Sequence, residues 1–373
     1  MNIVVIMPTY NESDNVKKMI PVLEKEVFPK VKNHTMHLLV VDDKSPDGTG
    51  KEVEKYMKEY KNVSLLEGEK NGLGAAYVRG MKHAMEKMNA DAVIEFDADF
   101  QHDPHDIPHL IAAMDEGYDY VIGSRYIKGG AIPDNWGFDR KIKSRLGGIF
   151  AQIMFLMPNI HDLTAGYKLT KTSYLKKVDL DHLLSKDFAY KLHILHDVVK
   201  AGAKVKEVPI VFYDRTKGKS KMDTNDIKDS LSVVVSLAIK DFESFLKFLV
   251  VGGFGFLINA VVLKVLVGVH WDPFIANLVG AAIAVFSNYN FNNFWTFKHH
   301  KITSFRKYLW KLVHFYLTSA FGVILIQSGT ILLGDYFFGK KYYFIYFLFG
   351  TGMLLIWNFT IYTKFIWKKH PTK

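Results

Sequence analysis

The sequence predicts an α/β domain built on a mostly parallel sheet, followed by an all-α domain of four membrane-spanning helices. Three observations carry this. Short Val- and Ile-rich runs alternate with helix-like apolar spacing through the first half, and four apolar segments of more than 20 residues fill the last third. The charge is divided between the two parts. Positions 1–244 hold 35 of the 48 basic and 36 of the 38 acidic residues, so the net charge of +10 resides in positions 245–373. Basic charge flanking apolar segments marks a membrane protein and argues against a nucleic-acid partner.

Residues 3–7 form a short apolar run with no basic leader that leads straight into PTYNE at 8–12. They predict a buried first strand and not a signal peptide. Residues 37–41, 64–66, 92–96 and 120–122 repeat the strand pattern, and 15–28, 49–60, 73–88 and 106–116 carry helical spacing between them. Such alternation implies a sheet covered on both faces, with ligands bound beyond the C-terminal ends of the strands. No GxGxxG or GxxxxGKS/T string follows a strand, which removes the usual dinucleotide and P-loop readings. Residues 141–157 pass from basic to apolar and suit either a core helix or one lying in a membrane surface. Residues 226–245 place Ile227, Leu231, Val234, Val235, Ala238 and Phe242 on one face, predicting a helix that leads to the membrane.

The apolar segments, 245–269, 273–294, 308–333 and 342–362, are each long enough to cross about 30 Å of hydrocarbon. They repeat at an offset of 70 residues, matching Gly252 with Gly322, Gly280 with Gly350, Asn288 with Asn358 and Lys298 with Lys368. Two helices per repeat make this a parallel duplication. Lys298, Lys301, Arg306, Lys307 and Lys311 follow the second segment, and Lys364, Lys368, Lys369 and Lys373 follow the fourth. The loops on the other side hold only Lys340, Lys341, Asp272 and Asp335. This bias predicts a multi-pass protein with its N-terminal domain and C-terminus in the cytosol. The absence of cysteine excludes disulfides, thiolate metal sites, Cys nucleophiles and thioether or thioester lipid anchors.

Chemistry concentrates at the strand exits. DADFQHD at 97–103 offers two carboxylates at i, i+2, a spacing that suits a hydrated divalent cation bridging a diphosphate; hard oxygens favour Mg²⁺ or Mn²⁺ over Zn²⁺. PTYNE supplies an aromatic ring to support a nucleobase and a carboxylate to accept from a ribose hydroxyl. VVDDKSPDGT at 40–49 ends a strand in carboxylates able to read donors on a base, although its Pro46–Gly48 stretch is also an ordinary turn signal.

The combination resembles the family 2 inverting glycosyltransferases, and within them the polyprenyl (dolichyl) phosphate mannose synthases. The strings are PTYNE, VVDDKSPDGT, GLGAAYVRG at 72–80, DADFQHDP, GSRYIKGG at 123–130, DLTAGYKL at 162–169 and EVPIVFYDRTKGKSKM at 207–222. The tail, with WTF at 295–297, resembles a GtrA-type membrane domain. The resemblance implies a GT-A, Rossmann-like catalytic domain at 1–225, an amphipathic interfacial helix at 226–244 and a GtrA-like domain at 245–373. It implies transfer of mannose from GDP-mannose to dolichyl or polyprenyl phosphate. Pro8, Tyr10, Glu12 and Asp42 would hold the nucleoside. Asp97, Ala98, Asp99 and Gln101 would hold the sugar diphosphate, with Asp97, Asp99 and Gln101 on a Mg²⁺ or Mn²⁺ ion. Arg125, Arg215, Ser220 and Lys221 would contact phosphates, Arg125 and Arg140 those of the acceptor, and Asp99, Arg125 and Arg215 would be the catalytic set. Three departures stand out: Ala165 where many relatives carry Ser, Asp187 where they usually carry Gly, and His193 where they usually carry Glu.

The implied reaction is one in-line displacement by the lipid phosphate, which is already an anion near neutrality and needs no general base. A processive polysaccharide synthase would show QxxRW, and none of the six Trp residues follows an Arg. Two alternatives stay open: UDP-glucose or another sugar nucleotide as donor, and a lipid-linked sugar transporter in which Asn259, Lys264, Asn288, Gln327 and Asn358 line the path.

Overall fold

The computed structural model describes residues 1–214 and 224–367, of which those up to Ala238 form one compact unit and those from Ile239 another. The first unit holds a seven-stranded sheet of β1 (Asn2–Thr9), β2 (Thr35–Asp42), β3 (Val63–Glu67), β4 (Ala92–Glu95), β5 (Tyr120–Ser124), β6 (Lys168–Lys171) and β7 (Val205–Pro209). Their spatial order is β3-β2-β1-β4-β6-β5-β7. β1 runs parallel to β2 and β4, and β5 parallel to β7; β6 is antiparallel to both its neighbours. The period-2 rule is obeyed: Val4, Ile6, Leu39 and Val41 pack on one face, Ile3, Val5, Met7, Leu38 and Val40 on the other.

Helices α1 (Ser13–Val22), α2 (Thr49–Glu59), α3 (Leu73–Lys87) and α4 (Ile107–Asp115) fill the expected intervals. α1 is shorter than its pattern because Pro21 removes a donor and the next turn widens. The carbonyl of Lys17 that Pro21 cannot serve accepts from the Tyr56 hydroxyl at 2.9 Å. After them come α5 (Phe138–Phe155), α6 (Thr172–Leu175) and α7 (Tyr190–Lys200). α5 answers the 141–157 pattern both ways. Gly148, Ala151 and Phe155 are buried, while Phe138, Ile142, Leu146, Ile149 and Ile153 form an exposed apolar face.

Strands β6 and β7 have no counterpart in the sequence pattern. β6 lies inside the sheet yet carries Lys168 and Thr170, both buried, and β7 is an edge strand of mixed polarity. The expected helix at 226–244 is not a separate element: it is the first half of α8 (Thr224–Gly268), which continues unbroken into the first apolar segment.

With the second unit, the described residues hold four helices long and apolar enough to cross a membrane. α9 (Pro273–Phe291) is followed by a π turn at Asn292–Thr296; α10 (Phe305–Phe321) and α11 (Ser328–Phe338) join through a π turn at Gly322–Gln327; α12 (Tyr343–Ile361) ends in a π turn at Tyr362–Ile366. The internal repeat is kept at element bounds. α9 and its π turn match α12 and its π turn at an offset of 70, and α8 and α11 end at Gly268 and Phe338, also 70 apart. Gly280 gives close approach to Asn259, and its counterpart Gly350 to Gln327. Phe248, Tyr289, Phe297, Phe315, Tyr362 and Trp367 close one end in an aromatic cluster, and Asn293 Oδ1 accepts there from Trp367 Nε1 at 3.0 Å.

Candidate active site

The strand exits converge on a cleft of about 1050 Å³. Its rim is laced by hydrogen bonds between two motifs: Asn11 N donates to Ser45 Oγ (2.9 Å), Glu12 N to Thr49 Oγ1 (3.1 Å) and Ser13 N to Asp47 Oδ2 (3.0 Å). Asn11, Lys44 and Phe100 take left-handed backbone, the sharp reversals that let chain leave a strand and face the cleft. Pro8, Tyr10 and Glu12 border the cleft, as expected, with the Lys70 ammonium 3.5 Å over the Tyr10 ring. Asp42 does not. It is 1% exposed, and its carboxylate accepts from Thr9 Oγ1, Ser45 N and Ser45 Oγ at 2.6–2.8 Å. Asp43 borders the cleft instead, paired with Arg79 at 2.5 Å.

Asp97, Ala98, Asp99 and Gln101 all border the cleft. Tyr77 donates to Asp97 Oδ1 at 2.7 Å, and Asp99 Oδ1 accepts from Gln101 N at 3.1 Å. The loop is clipped to residues 212–213 through Tyr213 N to Gln101 O (2.9 Å) and the bridge between His102 and Phe212. Burial pushes the His102 imidazole down to about 4, so it is neutral at pH 7. Among the described residues no three His, Cys, Asp or Glu side chains form a metal cage. Two carboxylates plus the Gln101 amide at an open cleft do fit a hard divalent cation that keeps water and ligand oxygens in its shell.

Arg125 is gripped by Asp162, Nε to Oδ2 and Nη2 to Oδ1 both at 2.7 Å, and by Thr164 Oγ1 at 3.1 Å. Glu207 on β7 fixes the turn beneath, accepting from Asp162 N and His161 N at 2.9 Å. Burial alone would raise the Asp162 carboxyl; the charge and hydrogen bonds of Arg125 outweigh it and hold the group below the usual carboxylate range. Arg140 stacks on Trp136, 3.9 Å from guanidinium carbon to ring centre. Arg215, Ser220 and Lys221, expected at phosphates, lie outside the described residues.

A second cavity of about 420 Å³ is lined chiefly by apolar groups, among them Phe150, Leu192, Ile227, Leu231 and Val234. Arg125, Trp136, Arg140, Thr164 and Phe188 border both cavities. The two spaces therefore meet at a cationic junction, with Lys143 and Ser144 beside it.

The sequence left Lys191 unremarked. It is 2% exposed, borders the cleft and stands 3.7 Å over the Phe188 ring; no described residue gives its ammonium a hydrogen bond. A side chain at Gly166 would meet Lys191 Nζ, His102 and Asp97 Oδ2 within 3.2–3.6 Å, so the missing Cβ keeps open the point where these groups converge. Below them, Tyr77 stacks on Tyr190, whose hydroxyl donates to buried Glu95. Burial raises the Glu95 carboxyl and lowers the nearby Lys168 ammonium. His193 borders neither cavity. Its Nδ1 accepts from Leu184 N at 3.0 Å and its Nε2 faces Asp197 at 3.5 Å.

Comparison with known proteins agrees with this geometry. The family model "Glycosyl transferase family 2" matches residues 4–179, and "GtrA/DPMS, transmembrane domain" matches residues 247–367. Polyprenol monophosphomannose synthase of Mycolicibacterium smegmatis is 34% identical over 63% of this chain and 86% of its own length. Undecaprenyl-phosphate mannosyltransferase of Micrococcus luteus is 36% identical over 60% and 88%. Dolichol-phosphate mannosyltransferase of Pyrococcus furiosus is 32% identical over 80% and 82%, so its match extends into the membrane helices.

Proposed function

The chain belongs to the family 2 glycosyltransferases and carries a GtrA/DPMS transmembrane domain, and from that premise we propose that it transfers mannose from GDP-mannose to dolichyl or another polyprenyl phosphate, at the cytosolic face of the membrane. The observation that carries this is the meeting of a polar cleft, floored by Asp97 and Asp99, with an apolar groove whose mouth is cationic. A sugar nucleotide suits the first space; a long isoprenoid bearing a phosphate suits the second.

Pro8, Tyr10, Glu12 and Asp43 face the nucleoside, while Asp42 fixes the turn that presents them. Asp97, Asp99 and Gln101 would hold Mg²⁺ or Mn²⁺. When bound, that ion supplies positive charge to the leaving diphosphate. Arg125 and Arg140, oriented by Asp162 and Trp136, hold the acceptor phosphate at the junction by charge-assisted hydrogen bonds. The buried Lys191 ammonium finds its missing partner in the donor's sugar hydroxyls or phosphate, because a desolvated charge without one is costly. An acceptor phosphate oxygen attacks the anomeric carbon from the face opposite the nucleotide. The new C–O bond forms as the bond to the diphosphate breaks, the configuration inverts and the charge leaves on GDP. The exposed apolar face of α5, with Lys141, Lys143 and Arg145 beside it, suits a membrane surface.

The test offers labelled GDP-mannose and UDP-glucose separately to purified protein with dolichyl phosphate and Mg²⁺ or Mn²⁺. Transfer from GDP-mannose, abolished by EDTA and reduced at least about 100-fold in Asp99→Asn, is expected. Transfer from UDP-glucose alone overturns the donor assignment.

A further inference from the structure

Lys191 belongs to the polar cleft and not to the apolar groove, while the Phe188 ring that carries its ammonium at 3.7 Å borders both. That ring contact and a side chain only 2% exposed hold the amine at the cleft wall. Gly166 marks the opening in front of it. A Cβ there would lie 3.2 Å from Lys191 Nζ, 3.4 Å from His102 Cε1 and 3.6 Å from Asp97 Oδ2. The opening thus has an amine on one wall and a carboxylate oxygen on another, and the buried, neutral His102 brings no charge between them. Asp97 spends its other oxygen on the Tyr77 hydroxyl at 2.7 Å.

The order of groups along the cleft decides what reaches the amine. The diphosphate belongs at Asp97 and Asp99, and the acceptor phosphate at the junction that Phe188 borders. The transferred sugar is bonded to the first and attacked from the side of the second, so it lies between them. Lys191 stands between the same two landmarks. The chemistry agrees. A phosphate oxygen only accepts, so it suits the ammonium and opposes the carboxylate beside it. A sugar hydroxyl accepts from an ammonium and donates to a carboxylate, so a hexose answers both walls of the opening.

We propose that Lys191 reads the transferred sugar: its ammonium donates to a hydroxyl of the hexose lodged in the opening that Gly166 leaves. The inference deepens the proposed function and rests on it for the placing of donor and acceptor.

Dissociation constants for GDP-mannose and for GDP are measured by calorimetry on the full-length purified protein in detergent with Mn²⁺, for wild type, Lys191→Met and Lys191→Gln. Lys191→Met should weaken GDP-mannose by about 10- to 100-fold, and Lys191→Gln, which keeps a donor, by less. GDP should stay within about twofold in both variants, because it carries no hexose. Met matches the lysine stem and removes a buried charge, so the melting temperature should not fall. If the Met variant does not fold, Lys191→Gln carries the comparison. Donors lacking the hydroxyl at C2, C3, C4 or C6 identify the contact. One of them should bind wild type as weakly as GDP-mannose binds Lys191→Met, and should lose nothing more in that variant. GDP weakened as much as GDP-mannose moves the amine to the diphosphate, and an unchanged constant for GDP-mannose removes it from the donor; either overturns the proposal. So does an equal further loss for every deoxy donor in Lys191→Met. If wild type binds UDP-glucose and not GDP-mannose, the donor assignment fails instead, and UDP-glucose against UDP gives the same reading of Lys191.

Discussion

Arg125, almost buried, and Lys191, fully buried, are cations at the same cleft, and they solve the cost of burial in opposite ways. Arg125 gives its Nε–Nη2 edge to Asp162, which sits at 0% side-chain exposure behind it, and so is oriented before any substrate arrives. Lys191 is left without a hydrogen-bonding group among the described residues and is completed by what binds. Breaking the first pair leaves an unpaired buried charge. Asp162→Asn should therefore lower stability by about 3–5 kcal/mol at pH 7 and reduce transfer. The depressed Asp162 carboxyl contributes stability that is fully present above its unfolded pKa of about 3.9 and is lost as pH falls through the lower folded value. Melting temperatures of wild type and Asp162→Asn should keep a constant gap from pH 8 to about pH 5 and converge below about pH 4. A gap that persists unchanged into acid would mean that the pair is not the source of the difference. The candidate site was legible in the sequence where its residues are contiguous at a strand exit, as in Asp97, Asp99 and Gln101. It was illegible where adjacent residues face opposite ways. Of Asp42 and Asp43, only the fold decides which carboxylate is consumed by Thr9 and Ser45 and which faces the cleft.

Elements were readable to the degree that burial follows hydrophobicity. β1, β2 and β4 are apolar on both faces because helices cover both. β6 breaks the rule. Lys168 is wholly buried, donating to the carbonyls of Leu163 and Lys191 at 3.3 Å beside Glu95, and no periodicity announces a strand that carries such a lysine inside the protein. The membrane helices show the reverse case, in which small residues carry the information. At Gly280 and Gly350 the neighbouring helix comes too close for a side chain, against Asn259 and Gln327. Gly280→Leu and Gly350→Leu should each destabilise the detergent-solubilised protein by about 1–3 kcal/mol, measured by thermal unfolding, with donor KM unchanged. Gly252 and Gly268 have open space beyond their Cα atoms, and Leu there should be tolerated.

For the molecule as a whole, the duplication of the membrane unit and its charge asymmetry give the same topology. Two hairpins repeated at an offset of 70 residues must each enter and leave on one side, and that side carries Lys298, Lys301, Arg306 and Lys307. The chain contains no cysteine, so single cysteines can be introduced without background. In intact cells, a membrane-impermeant maleimide should label Lys340→Cys and should reach Lys301→Cys only after the membrane is opened. Labelling of Lys301→Cys from outside would invert the topology and place the mannosyl transfer on the opposite face.

The sequence by itself determined the class of the catalytic domain, the four long apolar helices, their duplication and the carboxylates that the DADFQ strand exit brings to the cleft. Each of these depends on local pattern: strand and helix periodicity, segment length, or short strings at strand ends. Only the tertiary structure decided that two cavities share Arg125, Trp136, Arg140, Thr164 and Phe188. It also decided that Asp162 braces the first arginine and Trp136 the second, and that Lys191 reaches the cleft from α7. Arg125 and Asp162 are 37 positions apart, and even the nearby Trp136 and Arg140 meet only at the cavity junction; the physical reason is that side-chain burial and partnership are set by where strands and helices cross, which spacing along the chain does not encode.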